Sequence, residues 1–174
     1  QSAIAQKLCD MGIDVIVGGH PHVVQPIELL TSTEDPNHKT VCLYSMGNAV
    51  SNQRQGNISA ISTAHTEDGV LFSATFSKYS DGTVYLDDVS LIPCWVNLTT
   101  SPKQYVILPL DNSTRDQWQE KYQLGDTTLA AAQRSYDRTM AIVGDGLSAS
   151  QDYLAQQRQA RDDAYEAAIY DNAA

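Results

Sequence analysis

The run Asp14-Val15-Ile16-Val17 leads straight into Gly18-Gly19-His20-Pro21-His22, and this passage constrains the chain more than any other. An apolar, β-branched run bounded by glycines predicts a short strand buried on both faces. Ahead of it, Ile4, Leu8 and Met11 recur at helical spacing and Gly12 stops the pattern, which predicts the end of an amphipathic helix over residues 2–11. Helix, glycine and buried strand form the step from which layered α/β folds are built. Ligands in such folds collect beyond the carboxyl ends of the strands, where His20 and His22 fall. The glycine pair lets the backbone turn without a Cβ clash. Pro21 disfavours the α region at His20 and holds its own φ at about -65°. The expectation is a stiff, extended His-Pro-His tripeptide whose imidazoles, two residues apart, project to one side. Two neutral imidazoles offered to one pocket suit a metal ion, because ligand entropy is lost before the metal arrives.

The next strand is expected at Val41-Cys42-Leu43-Tyr44, with polar residues 31–40, including Pro36 and Asn37, forming a turn or hairpin loop. Residues 70–77 alternate in part and predict a half-buried strand. Asp81-Gly82 is the strongest hairpin signal in the chain, with a return strand over 83–92 and another candidate at 105–108. The fold class that follows is α/β to α+β: helix and buried strand first, antiparallel strands after. Tyr44-Ser45-Met46-Gly47-Asn48 closes the second strand, where Asn48 can reach a metal-bound water or a substrate oxygen in the same pocket.

Composition shifts near Asp111, towards Ala, Gln, Asp and Arg. Ser113 or Thr114 is the expected cap of a helix carrying Trp118 and Tyr122. A second helix is expected over 126–143, broken by Gly144-Asp145-Gly146, and a third over 148–170 with a weak stripe that includes Tyr153, Leu154 and Ile169. Residues 1–110 and 111–174 thus read as a domain and a helical appendage.

The formal net charge of -10, without a basic patch, makes free nucleic acid a poor partner. No apolar run approaches the roughly 20 residues of a membrane span. Cys9, Cys42 and Cys94 are far apart and odd in number, which suits buried apolar residues better than a disulfide or zinc framework. His38 and His65 lie in polar stretches and are expected to be exposed. The glycosylation triplets at 57–59, 97–99 and 112–114 are of a kind that arises by chance.

Gly-Gly-His-Pro-His-Val-Val-Gln-Pro-Ile-Glu at 18–28, followed by Leu-Tyr-Ser-Met-Gly-Asn at 43–48, resembles the bacterial CapA family, the poly-γ-glutamate capsule biosynthesis family. That family is similar to the calcineurin-like metallophosphoesterases. The resemblance is close over residues 1–50, looser from 70 to 110, and absent over 111–174. It implies the C-terminal half of a metallophosphoesterase sandwich followed by a helical tail. It places His20 and His22 on one metal each of a two-metal site, with Mn, Fe or Zn as the ions. Gly19 stands where many relatives carry a further histidine, which changes substrate contacts. Gly19, Ser45 and Asn48 become substrate or supporting residues. The family also uses an early Asp motif, a bridging residue and an Asn-His motif. Those ligands are expected upstream of Gln1, in the N-terminal part of the same domain. Residues 1–174 alone are therefore expected to bind metal weakly and to lack catalysis. The activity implied is hydrolysis of a phosphoester-like bond during synthesis of capsule, poly-γ-glutamate or another surface polymer. The alternative is a non-catalytic factor that binds or exports an anionic polymer. The parent protein is expected to be extracytoplasmic or surface-associated in a bacterium.

Overall fold

The computed structural model describes residues 1–56 and 59–171, without the side chains of 169–171. Asn57 and Ile58 of the first glycosylation triplet, and the Ile169 side chain of the third expected helical stripe, lie outside the described residues.

The chain opens with α1 (Ser2–Asp10). Its buried face is Ala5 and Cys9, one turn apart, while Ile4 and Met11 of the expected apolar stripe are exposed. The Asp10 carboxylate accepts from the Thr33 backbone N–H at 2.7 Å, which ties the end of α1 to the hairpin that follows β1. Bonds from Thr33 and Gln6 hold that carboxyl below its usual range.

Three strands form the first sheet: β1 (Val15–Val17), β2 (Ile27–Thr31) and β3 (Lys39–Leu43). The order is β1-β3-β2, with β1 parallel and β2 antiparallel to β3. β1 is thus an edge strand and not one buried on both faces: Val17 is 44% exposed. An apolar run of this kind reports what a strand can bury, and among the described residues only β3 pairs with it. β2 was not expected, since Pro26 and the doublet Leu29-Leu30 blur its alternation.

The second sheet is the antiparallel meander β4 (Asp68–Lys78), β5 (Val84–Thr100) and β6 (Lys103–Pro109). Asp81-Gly82 makes the β4–β5 turn, with Gly82 at φ 93°. β5 runs well past the expected end at Ile92. Pro93 withholds one donor, yet its carbonyl still accepts from Leu110 N–H at 2.7 Å. The two sheets meet at the isolated bridge between Gly47 and Gly69, while a second bridge, Val24 with Met46, extends the β2–β3 register. Gly47 takes φ 74°, and a Cβ there would lie 2.5 Å from the Asp68 carbonyl oxygen. A Cβ on Gly69 would collide with the Asn48 carbonyl, so only glycine fits this crossing.

Past the sheets, a 3-10 turn over Asn112–Gln117 leads into α2 (Trp118–Lys121). Its cap is the Asp111 side chain, accepting from Ser113 N–H, rather than Ser113 or Thr114. Trp118 is fully buried and donates from Nε1 to the Asp111 carbonyl at 3.0 Å. The last element, α3 (Asp126–Asp171), is one continuous helix of 46 residues, roughly 70 Å long at 1.5 Å per residue. Gly144 and Gly146 do not break it. A Cβ on Gly146 would collide with the Ile27 carbonyl, so this glycine lets α3 lie against β2.

α3 packs into the core rather than standing off from it. Val143, Leu147 and Leu154 share one cluster with Val24, Ile27, Val41 and Leu43 of the first sheet region and Val70, Leu86 and Val89 of the second. A smaller cluster joins Trp95, Leu108 and Leu110 to Trp118, Leu124 and Ala132. The architecture is mixed α/β, two small sheets covered by a C-terminal helix, consistent with α+β. All three cysteines are buried thiols, as expected. Among the described residues, no helix is long and apolar enough to cross a membrane.

Candidate functional site

The segment 18–24 leaves the carboxyl end of β1 under close constraint. Gly18 extends the parallel ladder, its N–H donating to Leu43 O at 2.8 Å and its carbonyl accepting from Met46 N–H at 3.1 Å. A Cβ at Gly18 would collide with the Tyr44 carbonyl. Gly19 has open space around it. The unusual backbone falls on the histidines: His20 has φ 97° and His22 φ 62°. The His-Pro-His tripeptide is therefore not extended. Local proline sterics are overridden by the Val24–Met46 bridge and by bonds from Asn48. Left-handed backbone at a non-glycine residue is uncommon and clusters where function holds it.

Asn48 sits at the centre of the site. Its Nδ2 donates to His22 O at 3.0 Å and to Thr66 O at 2.9 Å. Its Oδ1 lies 2.8 Å from His22 Nδ1. With both amide hydrogens given to carbonyls, the atom facing the ring is an acceptor, so Nδ1 carries the proton. In the neutral form of the ring this tautomer has its lone pair on Nε2. Asn48 is buried, and its side-chain amide bonds to His22 and to the Thr66 carbonyl. Ser45 is also buried, its Oγ accepting from Gly47 N–H at 3.2 Å to close the turn. His20 and His22 are both exposed residues, and His20 makes no hydrogen bond among the described residues.

The remaining histidines lie elsewhere and are half-buried, not exposed. His38 Nε2 is 3.3 Å from Ile13 O, at the amino end of β1, so the Asn37-His38 step lies away from His20 and His22. His65 Nδ1 is 2.9 Å from Thr63 Oγ1, in the short 3-10 helix Ala64–Glu67. That 3-10 helix had no sequence signal, yet it supplies the Thr66 carbonyl that orients Asn48. Asp68, next in the chain, is 1% exposed. Burial pushes its carboxyl above the usual range, against the opposing bonds from Arg138 and Ser135.

The first part of the chain has known counterparts. Residues 1–53 match the family model for the bacterial capsule synthesis protein PGA_cap. The N-terminal region is CapA-like. The PGA biosynthesis protein CapA of Bacillus subtilis (strain 168) is 43% identical over 53 residues, which is 30% of this chain and 12% of that protein. The chain thus matches about an eighth of the curated relative's length. No solved structure matches the chain. The matched stretch contains both sheet-closing segments of the site, 18–24 and 45–48, but not Thr66, Asp68 or α3.

The CapA-like residues suit a metal in part. An imidazole whose Nδ1–H is fixed by an amide oxygen is the usual arrangement of a metal-ligating histidine, since the second bond sets tautomer and ring direction. His22 has that arrangement. The described residues hold no group of three or more His, Cys, Asp or Glu placed to hold an ion, so they offer at most part of a ligand set.

Proposed function

We propose that residues 1–110 contribute the C-terminal part of a calcineurin-like metallophosphoesterase domain in a CapA-like protein of surface polymer biosynthesis. The substrate class is a phosphoester-like bond or an anionic polymer such as poly-γ-glutamate, and the reaction is hydrolysis at a two-metal site. One observation carries the reading: His22, with Nδ1 pinned by Asn48 and Nε2 free, beside His20 in a left-handed loop beyond β1.

In this reading His20 and His22 each hold one divalent ion, with Mn, Fe or Zn suited to imidazole and carboxylate donors. The other ligands come from the N-terminal part of the same domain. Such ions supply Lewis acidity towards a phosphoryl oxygen. The chain's own contribution is to hold two imidazoles in place, with Asn48 keeping the His22 proton on Nδ1. The parent protein acts outside the cytoplasm or at the cell surface of a bacterium.

Elemental analysis and turnover assays on the parent protein test this. His20→Ala and His22→Ala should each lower metal content and reduce turnover of a generic phosphoester at least about a hundredfold, the scale for losing a directly acting group. Unchanged metal and activity in both variants would remove the enzyme reading. The second reading is a polymer-binding or export factor without hydrolysis. Binding of anionic polymer with no turnover by the metal-loaded parent protein would select it.

A further inference from the structure

Asn48 can orient His22 only while its own position is held. Besides His22 itself, two bonds do this: Nδ2 to Thr66 O at 2.9 Å, and the backbone N–H to Asp68 O at 3.0 Å. Both end on segment 66–68. That segment is gripped from α3, seventy residues along the chain. Arg138 Nε donates to Asp68 Oδ2 at 2.6 Å and Arg138 Nη2 to Asp68 Oδ1 at 2.6 Å, a two-bonded fork that fixes both oxygens. Ser135 Oγ donates to Asp68 Oδ1, also at 2.6 Å. Arg138 Nη2 further reaches Ala64 O at 3.4 Å. From the other side Glu67 accepts from Arg54 at 2.7 Å and from Trp95 Nε1 at 3.2 Å. The Gly47–Gly69 crossing leaves no slack beneath this segment, and a close-packed contact passes displacement on rather than absorbing it.

We propose that Arg138 and Ser135 of α3 are positioning residues for the His22 imidazole, acting through Asp68 and Asn48. The C-terminal helix then sets the metal affinity of the N-terminal motif. This second statement rests on the metal-site reading above; the positioning itself does not. A lysine cannot replace Arg138, because a point charge cannot fix both Asp68 oxygens as the planar fork does.

The test reads the His22 tautomer by 15N NMR in the intact chain, followed by titration of the full-length parent protein with Zn2+ alone. The parent chain should show His22 protonated on Nδ1. Arg138→Lys should give a mixture of tautomers and about a tenfold loss of Zn2+ affinity, the low end for removing a residue that orients a ligand. Arg161→Lys is the control. Arg161 docks α3 by pairing with Asp87 and lying 4.4 Å over the Tyr85 ring, with no bond to segments 46–48 or 64–68. It should lower stability yet leave tautomer and affinity unchanged. A parent-like tautomer in Arg138→Lys, or the same change in Arg161→Lys, overturns the proposal. Should Arg138→Lys fail to fold, Ser135→Ala removes one of the bonds on Asp68 and must shift the tautomer in the same direction; no shift overturns it equally. If the full-length parent protein, with the N-terminal part of the domain present, takes no Zn2+ while the tautomer still moves in Arg138→Lys, the metal reading falls and the positioning stands.

Discussion

At His20 the backbone stands at φ 97°, a conformation that costs an L-residue on the order of 1–2 kcal/mol. Nothing in the residue's own chemistry repays this, since its ring has no hydrogen bond among the described residues. The bonds that hold the loop belong to Gly18, Val24 and Asn48. At an ordinary position alanine is more stable than glycine by about 0.5–1 kcal/mol. At His20 the order should reverse, with His20→Gly about 1 kcal/mol more stable than His20→Ala in urea denaturation. Equal or opposite stabilities would show that His20 does not occupy the left-handed region. The same residue shows what the sequence could and could not tell. Two imidazoles past a glycine-bounded strand were legible as ligand chemistry. Their backbone was not, because the proline rule is local and the contacts that override it come from Met46 and Asn48. Asn48 is 26 residues from His22, and no spacing rule links the two.

Among the elements, α3 departs furthest from what its sequence suggests. Gly144-Asp145-Gly146 has the composition of a break, yet the helix continues through it. An interior glycine costs about 1 kcal/mol against alanine, a penalty that packing can override. The two glycines differ in what surrounds them. A Cβ on Gly144 would meet only the Met140 methyl carbon at 3.7 Å, an ordinary contact. A Cβ on Gly146 would strike the Ile27 carbonyl of β2. Gly144→Ala should therefore stabilise the chain by about 0.5–1 kcal/mol through helix propensity. Gly146→Ala should destabilise it by about 1–3 kcal/mol, because α3 must move off β2. Thermal melts of the two variants, moving in opposite directions, would check this; a rise in both would mean that α3 does not rest on β2. Strands were easier to read where turns announced them, as Asp81-Gly82 did for β4 and β5. β2 escaped because its pattern lacks clean alternation, and because its packing partners α1, β3 and α3 are not visible from its own residues.

For the molecule as a whole, the question is whether α3 is an attachment or part of the fold. Val143, Leu147 and Leu154 lie in the cluster that both sheets share. Burying an aliphatic side chain contributes about 1.5–3 kcal/mol, so these residues supply roughly 5–9 kcal/mol. A domain of this size has a net stability of about 5–15 kcal/mol. Removing α3 would also leave the Asp68 carboxylate buried without Arg138 and Ser135, a further cost. The backbone links left between the two sheets would then be the Gly47–Gly69 bridge and the bonds from Asn48 N–H to Asp68 O and from Val70 N–H to Met46 O. A chain cut to residues 1–125 should therefore unfold, and its thiols report it. Cys9, Cys42 and Cys94 are spread over α1, β3 and β5, and all are buried. Burial pushes the Cys42 thiol from 9.0 up to about 11, which alone lowers its thiolate population near neutral pH by about a hundredfold. In the intact chain an aromatic disulfide reagent should label all three thiols slowly, and urea should release them together. In the chain cut to 1–125 they should react at the rate of the urea-unfolded protein. Slow labelling of that shorter chain would mean that the two sheets hold together unaided, and that the helix can leave without taking the core with it.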